Sequence, residues 1–196
     1  MSEKAVFLDR DGILNELVEY ADTGEHESPR TVADLRMIDA AVEPLKLLQS
    51  RGYALFIISN QPSHAKGKTT LEDLKAVGLE VEKRLLAAGV KLTESFYCYH
   101  HPQGVVPALS GPCECRKPLP HFILKACEER FLVARKSWML GDQDMDVDCG
   151  RRAGCRTALV RYAPSEAKRG NVKAEVETDS VAQAVEGILK YDAMER

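Results

Sequence analysis

Two carboxylates lie close together near the start of the chain, in the run Asp9-Arg10-Asp11-Gly12 that follows an apolar segment. If that segment is a strand, side chains two residues apart point to the same face of the sheet. Carboxylates held this close repel each other unless a cation lies between them, and Mg²⁺, which prefers oxygen ligands, fits such a site. The alternative is a solvated turn, because Asp and Gly both favour turns.

A second acidic cluster follows the apolar run Met139-Leu140-Gly141. We expect Asp142 to complete the ligands of the cation, and Asp146, one helical turn later, to support the loop. Acidic residues are also favoured at a helix N-terminus by the helix dipole, which accounts more readily for Asp144 than for Asp142.

Hydrogen-bond donors and a lysine accompany these acids. Ser59, Asn60 and Gln61 end another apolar run and could donate to phosphate oxygens, although such residues also cap helices and turns. Lys117, in the run Cys115-Arg116-Lys117-Pro118, could neutralise both the acids and a phosphate. The alternative is a lysine that faces solvent.

Three cysteines and a histidine have the pattern Cys-x-His-x12-Cys-x-Cys, which favours a metal over free thiols. Three thiolates and one imidazole complete a tetrahedral Zn²⁺ site with no open position, as in structural zinc sites. The predicted ligands are Cys98, His100, Cys113 and Cys115. His101 is an alternative ligand. The other cysteines, Cys127, Cys149 and Cys155, are expected to pack in the core.

The elements that must position these residues alternate between strands and helices. Apolar runs predict strands over residues 4–9, 53–59, 94–99, 137–141 and 155–161. Periodicity and glycine stops predict helices over residues 40–49, 70–88, 119–130, 143–153 and 180–189. We expect a polar loop or flap over residues 16–30 and a polar loop over residues 163–177. This order is typical of an α/β fold with a doubly wound parallel sheet, in which ligands bind beyond the carboxyl ends of the strands.

Length and charge limit the classes of protein to consider. The 196 residues predict a single domain over residues 1–196, with the zinc loop 98–117 inside it. A net charge of −3 argues against a nucleic-acid binder. No apolar run approaches the roughly 20 residues of a membrane span, and the N-terminus does not resemble a signal peptide. We therefore expect a cytoplasmic protein, and a monomer, because no long amphipathic seam is present.

Together, the groups at Asp9, Ser59, Lys117 and Asp142 resemble the four motifs of the haloacid dehalogenase superfamily of phosphotransferases, over nearly the whole span from residue 9 to residue 146. The resemblance implies a Rossmann-like core without a large cap. It also implies that Asp9 is a nucleophile that becomes phosphorylated, and that Asp11 acts as general acid and then as base. Ser59 and Lys117 would hold the phosphoryl group. Mg²⁺ would be bound by Asp9, Asp142 and the backbone carbonyl of Asp11.

The cysteine-rich loop narrows the resemblance to a zinc-containing branch of phosphatases. Asp-x-Asp-Gly, Ser-Asn-Gln, Cys-x-His-His-Pro-Gln-Gly and Cys-x-Cys-Arg-Lys-Pro are similar to the motifs of heptose 1,7-bisphosphate 7-phosphatases, with histidinol-phosphate phosphatases as a related branch. The resemblance implies a small sugar-phosphate substrate, catalytic Mg²⁺ and structural Zn²⁺. It also implies that Arg116 binds the second phosphate of the substrate.

Two positions depart from the heptose branch. Pro62-Ser63-His64-Ala65-Lys66-Gly67 replaces the usual Ser-Gly-Ile-Ala-Arg-Gly, so Lys66 keeps the charge but loses the planar fork of arginine. Gln143 replaces a basic residue after Asp142. Both positions lie where a substrate would be recognised, which leaves another small phosphomonoester as an alternative substrate. A signalling receiver domain, or a zinc-dependent interaction module without activity, are the non-enzymatic alternatives, but receivers lack the second acid of Asp-x-Asp.

Overall fold

A sheet of six parallel strands runs through the computed structural model, which describes residues 3–195. Its strands are β1 (Ala5–Leu8), β4 (Ala54–Asn60), β5 (Glu94–Cys98), β6 (Trp138–Gly141), β7 (Arg156–Val160) and β8 (Val176–Thr178). Their order across the sheet is β5-β4-β1-β6-β7-β8. Two further strands, β2 (Val18–Tyr20) and β3 (Glu25–Glu27), form a separate antiparallel hairpin.

The central strands are buried because helices cover both faces of the sheet. The helices are α1 (Val42–Ser50), α2 (Leu71–Ala87), α3 (His121–Arg130), α4 (Asp144–Arg152) and α5 (Val181–Met194). Val6 and Leu8 of β1 belong to a core that also contains residues of α1, α2 and α5. Ala5 and Phe7 belong to a second core, with residues of α3 and α4. This alternation along one strand confirms the doubly wound parallel sheet, whose buried strands are apolar on both faces.

The register of the sheet brings the polar strand ends together. Leu8 at the end of β1 pairs with Ile57 of β4 on one side and with Leu140 of β6 on the other. The residues that follow these three positions therefore emerge side by side at one edge of the sheet. Strand β5, the outermost strand next to β4, ends at Cys98, which pairs with Asn60 of β4.

Two of the predicted loops contain regular structure. The prediction of an unstructured loop over residues 163–177 is wrong in part, because residues 163–168 form a 3-10 helix and β8 begins at Val176. The short sequence Val176-Glu177-Thr178 has no apolar run, and its pairing with β7 makes it a strand. The predicted flap over residues 16–30 contains the β2–β3 hairpin. Cys149 and Cys155 are buried in the second core and Cys127 packs against it, as expected.

Within residues 3–195, no helix combines the length and the apolar character that crossing a membrane requires.

Candidate active site

The carboxyl ends of β1, β4 and β6 open onto a cavity of about 170 Å³. Acidic and basic side chains from separate parts of the chain line it together. They are Asp9, Asp11, Glu25, Glu27, Lys66, Arg116, Lys117 and Lys168. Gln143 and Asn60 also line the cavity, whereas Ser59 and Gln61 are almost fully buried.

Lys117 joins two of the acids that the sequence singles out. Its ammonium lies 2.9 Å from Asp9 Oδ1 and 2.6 Å from Asp146 Oδ1, and all three residues are nearly fully buried. Burial opposes the charge on Lys117, but the carboxylates of Asp146 and Asp9 raise its pKa above the usual value. Burial also raises the pKa of Asp9 to about 6, with Lys117 opposing the rise and Asp146 adding to it. The lysine therefore provides the positive charge that two buried carboxylates require.

Asp146 binds the turn that carries Asp142. Its Oδ2 accepts the backbone N–H groups of Asp142, at 3.2 Å, and of Gln143, at 3.0 Å. These N–H groups stand at the start of α4, where no carbonyl of the helix can accept them. Asp146 thus fixes this turn through one oxygen while its other oxygen pairs with Lys117.

Asp142 is fully buried, and neither of its carboxylate oxygens has a hydrogen-bond partner within residues 3–195. Burial, followed by the nearby Asp9 and Asp146 carboxylates, raises its pKa well above the usual range. Oxygens of Asp9, Asp142 and Asp146 lie within 4.8 Å of one another. Both oxygens of Asp146 are engaged, one by Lys117 and the other by two N–H groups. Within residues 3–195, Lys117 and the Arg10 N–H contact only Oδ1 of Asp9, so Asp9 and Asp142 are the carboxylates that fit a hard divalent cation here.

Gly12 allows Asp142 to reach this position. Gly12 has a positive φ of +82°, and a Cβ atom there would lie 2.4 Å from Asp142 Oδ2. Such a contact is shorter than any real Cβ atom makes, so another residue at position 12 would displace the carboxylate.

Asp11 is held by donors on both of its oxygens. Arg10 and Asn15 donate to Oδ1 at 3.0 and 2.9 Å, and Ser28 and Gln61 donate to Oδ2 at 2.8 and 2.6 Å. Burial opposes ionisation, but the Arg10 guanidinium and the hydrogen bonds from Asn15 and Ser28 lower the pKa of Asp11. Ser28 follows the β2–β3 hairpin, so the predicted flap touches this carboxylate directly.

The run Ser59-Asn60-Gln61 connects the other parts of the site. The Asn60 side chain donates to Lys117 O at 3.1 Å and accepts Lys117 N–H at 3.0 Å. Gln61 Nε2 donates both to Asp11 and to Ser59 Oγ, the latter at 3.0 Å. Ser59 therefore accepts one hydrogen bond and keeps its hydroxyl proton for donation.

The four predicted zinc ligands come together at the carboxyl end of β5. Cys98 Sγ lies 3.8 Å from Cys113 Sγ and 3.9 Å from His100 Nδ1. Cys115 Sγ lies 3.1 Å from Cys98 Sγ, 3.7 Å from Cys113 Sγ and 3.5 Å from His100 Nδ1. Ligands about 2.3 Å from a tetrahedral Zn²⁺ ion are about 3.8 Å apart, so the donor set fits zinc.

His101, the alternative ligand, lies outside this group. Its Nδ1 accepts the backbone N–H of Gln103 at 3.1 Å.

Arg116, which follows the proposed ligand Cys115, donates to His100 O at 3.2 Å and lines the cavity. The zinc loop therefore ends inside the site.

The hairpin is tied to the rest of the cavity by charged groups. Glu27 pairs with Lys68, which follows β4, and with Arg30 at 3.0 Å. Lys168, on the 3-10 helix after β7, donates to His26 O at 3.2 Å. Lys168 and Ser28 could not be predicted from the sequence, because neither has a motif around it. Arg10 was also missed, although a charged residue between two acids at a buried strand end is a usable signal.

Known proteins are similar to this chain in sequence. Residues 114–187 match the family model described as HAD-hydrolase-like. Over 188 residues the chain is 31% identical to D-glycero-beta-D-manno-heptose-1,7-bisphosphate 7-phosphatase of Yersinia pestis, covering 95% of this chain and 96% of that protein. Over 159 residues it is 33% identical to D-glycero-alpha-D-manno-heptose-1,7-bisphosphate 7-phosphatase of Photorhabdus laumondii, covering 81% and 82% of the two chains.

Solved structures share the fold. A putative HAD-like phosphatase from Mesorhizobium loti has a TM-score of 0.79 at 23% identity, covering 100% of this chain and 88% of that one. The D,D-heptose 1,7-bisphosphate phosphatase from B. bronchiseptica, crystallised with magnesium and phosphate, has a TM-score of 0.77 at 21% identity, covering 96% and 99%. The chain therefore belongs to the heptose-1,7-bisphosphate 7-phosphatase family of haloacid dehalogenase-like hydrolases.

Proposed function

We propose that this protein is a Mg²⁺-dependent phosphatase that removes the 7-phosphate of D-glycero-D-manno-heptose 1,7-bisphosphate through a phosphorylated Asp9. One observation carries the chemistry: Asp9 lines the cavity, 2.9 Å from the Lys117 ammonium and within 4.8 Å of the Asp142 carboxylate, which has no hydrogen-bond partner within residues 3–195. Membership of the heptose-1,7-bisphosphate 7-phosphatase family supports this substrate, as do the motifs of the zinc loop.

Asp9 acts as the nucleophile in the first half-reaction. One of its oxygens attacks the phosphorus, the bond from phosphorus to the sugar oxygen breaks, and Asp11 gives a proton to that oxygen. Oδ1 of Asp9 is held by Lys117 and by the Arg10 N–H at 2.7 Å, which orients the carboxylate. A carboxylate nucleophile divides one difficult hydrolysis into two easier steps.

Asp11 serves both half-reactions. A phosphate dianion in the cavity raises the pKa of Asp11 by repulsion, which favours the acid form needed first. In the second half, Asp11 takes a proton from water as the water attacks phosphorus and Asp9 leaves. General acid–base catalysis of this kind contributes about 10²- to 10⁴-fold in rate.

The remaining donors hold the transferring group. Lys117 and the Ser59 hydroxyl would bind phosphoryl oxygens, while Asn60 and Gln61 keep Lys117 and Asp11 in place. The residues that would bind Mg²⁺ are Asp9, Asp142 and the backbone carbonyl of Asp11, with Asp146 supporting the Asp142 loop. When bound, the ion neutralises charge on the phosphoryl oxygens in the transition state.

The second phosphate of the substrate would lie against Arg116 and Lys66. Both line the cavity, and within residues 3–195 neither forms an ion pair with a protein acid. Zn²⁺ held by Cys98, His100, Cys113 and Cys115 would keep the loop that carries Arg116 in this position. Lys66 thus takes the place that arginine has in the heptose branch.

A phosphomonoester that carries an amine, such as histidinol phosphate, is the second candidate substrate. The observation that favours it is Glu25, which lines the cavity and forms no ion pair within the described residues. An exposed carboxylate there would bind an ammonium group. Two further properties are proposals: a cytoplasmic location, which suits six cysteines that form no disulfide, and a monomeric state.

The experiment is phosphate release with Mg²⁺ from both anomers of the heptose bisphosphate, from histidinol phosphate and from p-nitrophenyl phosphate. We expect the highest kcat/KM for one heptose anomer, and loss of turnover in Asp9→Asn with zinc content unchanged. Equal activity on all substrates would contradict the heptose assignment. Normal turnover in Asp9→Asn would contradict the mechanism.

A further inference from the structure

Two loops that the sequence separates by some 40 residues interlock beside the cavity. The loop after β4, residues 62–68, carries Lys66, and the zinc loop contributes residues 104–106. The N–H groups of Val105 and Val106 both donate to Ala65 O, at 2.7 and 3.3 Å. Ala65 is fully buried beneath this contact. The backbone next to Lys66 is therefore held by the zinc loop.

Glycines on both sides make this approach close. A Cβ atom at Gly104 would lie 3.1 Å from Ala65 O and 3.3 Å from Ala65 Cβ. A Cβ atom at Gly67 would lie 3.0 Å from Val105 Cγ2. Each distance is tighter than nine in ten real Cβ contacts. A side chain at Gly104 would therefore press on the Ala65 backbone, and one at Gly67 on the Val105 side chain.

The rest of the 62–68 loop is held mainly by its own turns. Lys66 N–H donates to Pro62 O at 3.0 Å, and Lys68 N–H donates to Ser63 O at 2.9 Å. Outside these turns, Lys68 pairs with Glu27 of the hairpin. The Lys66 side chain lines the cavity and forms no ion pair within residues 3–195, so its position depends on the backbone that carries it.

The contact begins close to the zinc ligands. Gly104 N–H donates to His101 O at 3.0 Å, and His101 follows the proposed ligand His100. His101 N–H in turn donates to Leu109 O at 3.0 Å, which closes the loop around Gly104. A zinc-bound loop would thus present a rigid edge to Ala65.

We propose that Gly104 is a positioning residue for substrate specificity: it lets the zinc loop close on Ala65 and so places the Lys66 ammonium against the second phosphate of the substrate. This proposal rests on the proposed function. It assigns the zinc loop a role on both sides of the second phosphate, directly through Arg116 and indirectly through Lys66.

The test compares Gly104→Ala and Gly104→Val with the matched control Gln103→Ala. Gln103 is exposed in the same turn, and within residues 3–195 only its backbone N–H takes part in a hydrogen bond. The measured quantity is the ratio of kcat/KM for the heptose bisphosphate to kcat/KM for p-nitrophenyl phosphate. One weakened charge-assisted contact is worth about tenfold, so we expect the ratio to fall about tenfold in Gly104→Val and less in Gly104→Ala. Gln103→Ala should keep the wild-type ratio.

Two further measurements separate positioning from general damage. Zinc content should stay at one ion per chain in both variants, while hydrogen exchange of residues 62–68 rises. In a double-mutant cycle with Lys66→Gln, the effect of Gly104→Val on the ratio should disappear, because Gly104 acts through Lys66. The proposal would be overturned if the effects of Gly104→Val and Lys66→Gln on this ratio were additive. It would also be overturned if the Gly104 variants kept their zinc and the wild-type ratio. If Gly104→Val loses zinc, the kcat/KM ratio and the double-mutant cycle are measured with Gly104→Ala instead, and the same outcomes decide.

Failure of the proposed function is distinguishable from failure of this inference. If wild-type protein shows no preference for the bisphosphate, the substrate assignment fails. Hydrogen exchange still tests the interlock in that case, and unchanged exchange of residues 62–68 in both Gly104 variants would overturn it.

Discussion

The side-chain amide of Asn60 pairs with both backbone polar groups of Lys117. Asn60 Nδ2 donates to Lys117 O at 3.1 Å, and Asn60 Oδ1 accepts Lys117 N–H at 3.0 Å. The two residues are 57 positions apart, at the ends of β4 and of the zinc loop. Asn60 thereby fixes the backbone of Lys117, while Asp9 and Asp146 bind its ammonium group.

Asn60→Asp tests this pairing. The substitution replaces the Nδ2 donor with an oxygen that faces Lys117 O, and the repulsion should shift the Lys117 backbone. A displacement of about 1 Å can cost about 100-fold in rate, so we expect kcat to fall by about that factor with the protein still folded. Steady-state kinetics and a thermal melt check this outcome. Wild-type kcat would show that Lys117 does not depend on Asn60.

Gly12→Ala tests the proposed Mg²⁺ site. Its Cβ atom would collide with Asp142 Oδ2, so the carboxylate must move. Disturbing such support typically costs about 10- to 100-fold in metal affinity, and we expect the Mg²⁺ concentration for half-maximal activity to rise by that factor.

The matched control is Gly52→Ala. Gly52 has a similar φ of +79°, but its Cβ atom would meet nothing within 4 Å. Both variants carry the backbone strain of a left-handed residue, and only Gly12→Ala should change the Mg²⁺ requirement. An equal Mg²⁺ response in the two variants would argue against Asp142 as a ligand.

Cys113→Ser should release zinc and lower the Tm. Ligand loss removes metal-binding free energy that contributes to folding. Cys127→Ser is the control, because Cys127 packs against the second core, away from the ligand group. Metal analysis of both variants checks the prediction. Stoichiometric zinc in Cys113→Ser, or no zinc in the wild type, would refute the proposed site.

Arg10→Met should destabilise the protein. Arg10 is fully buried and donates to Asp11 and, at 2.8 Å, to Gln61. Removing one partner of a buried ion pair typically costs about 3–5 kcal/mol of unfolding free energy. The exposed Arg135→Met should change it by less than about 0.5 kcal/mol. Denaturant titration measures both, and equal stabilities would contradict a structural role for the buried pair.

The hairpin should loosen in acid. Burial opposes ionisation of Glu27, but the hydrogen bonds from Lys68 and Arg30 lower its pKa below the ordinary value of 4.5. Because the pKa of Glu27 is lowered in the folded protein, its ionised carboxylate stabilises the hairpin fully above pH 4.5. This stabilisation is lost as pH falls through the lowered pKa. Hydrogen exchange of residues 18–28, corrected for intrinsic rates, should rise in that range. Glu27→Gln should remove the pH dependence, and a persisting dependence would assign it to another group.

Most of the site could be predicted from the sequence because its parts are local. Asp9 and Asp142 directly follow buried apolar runs, Asp11 lies two residues after Asp9, and the parallel register of β1 and β6 brings such positions together. The cysteine spacing likewise predicts a zinc site without knowledge of the fold. Strand β8 could not be predicted, because three half-buried residues without an apolar run become a strand only by pairing with β7.

Residue type and short spacing alone predict the chemistry proposed for this protein: an acid that would act as nucleophile, a second acid, a lysine, and a set of three thiolates and one imidazole that would hold zinc. The folded structure fixes how these groups are held. It selects His100 over His101 and brings Ser28 to Asp11. It also closes Gly104 on Ala65. These contacts join segments far apart in the chain, and their geometry depends on packing, which no local pattern records.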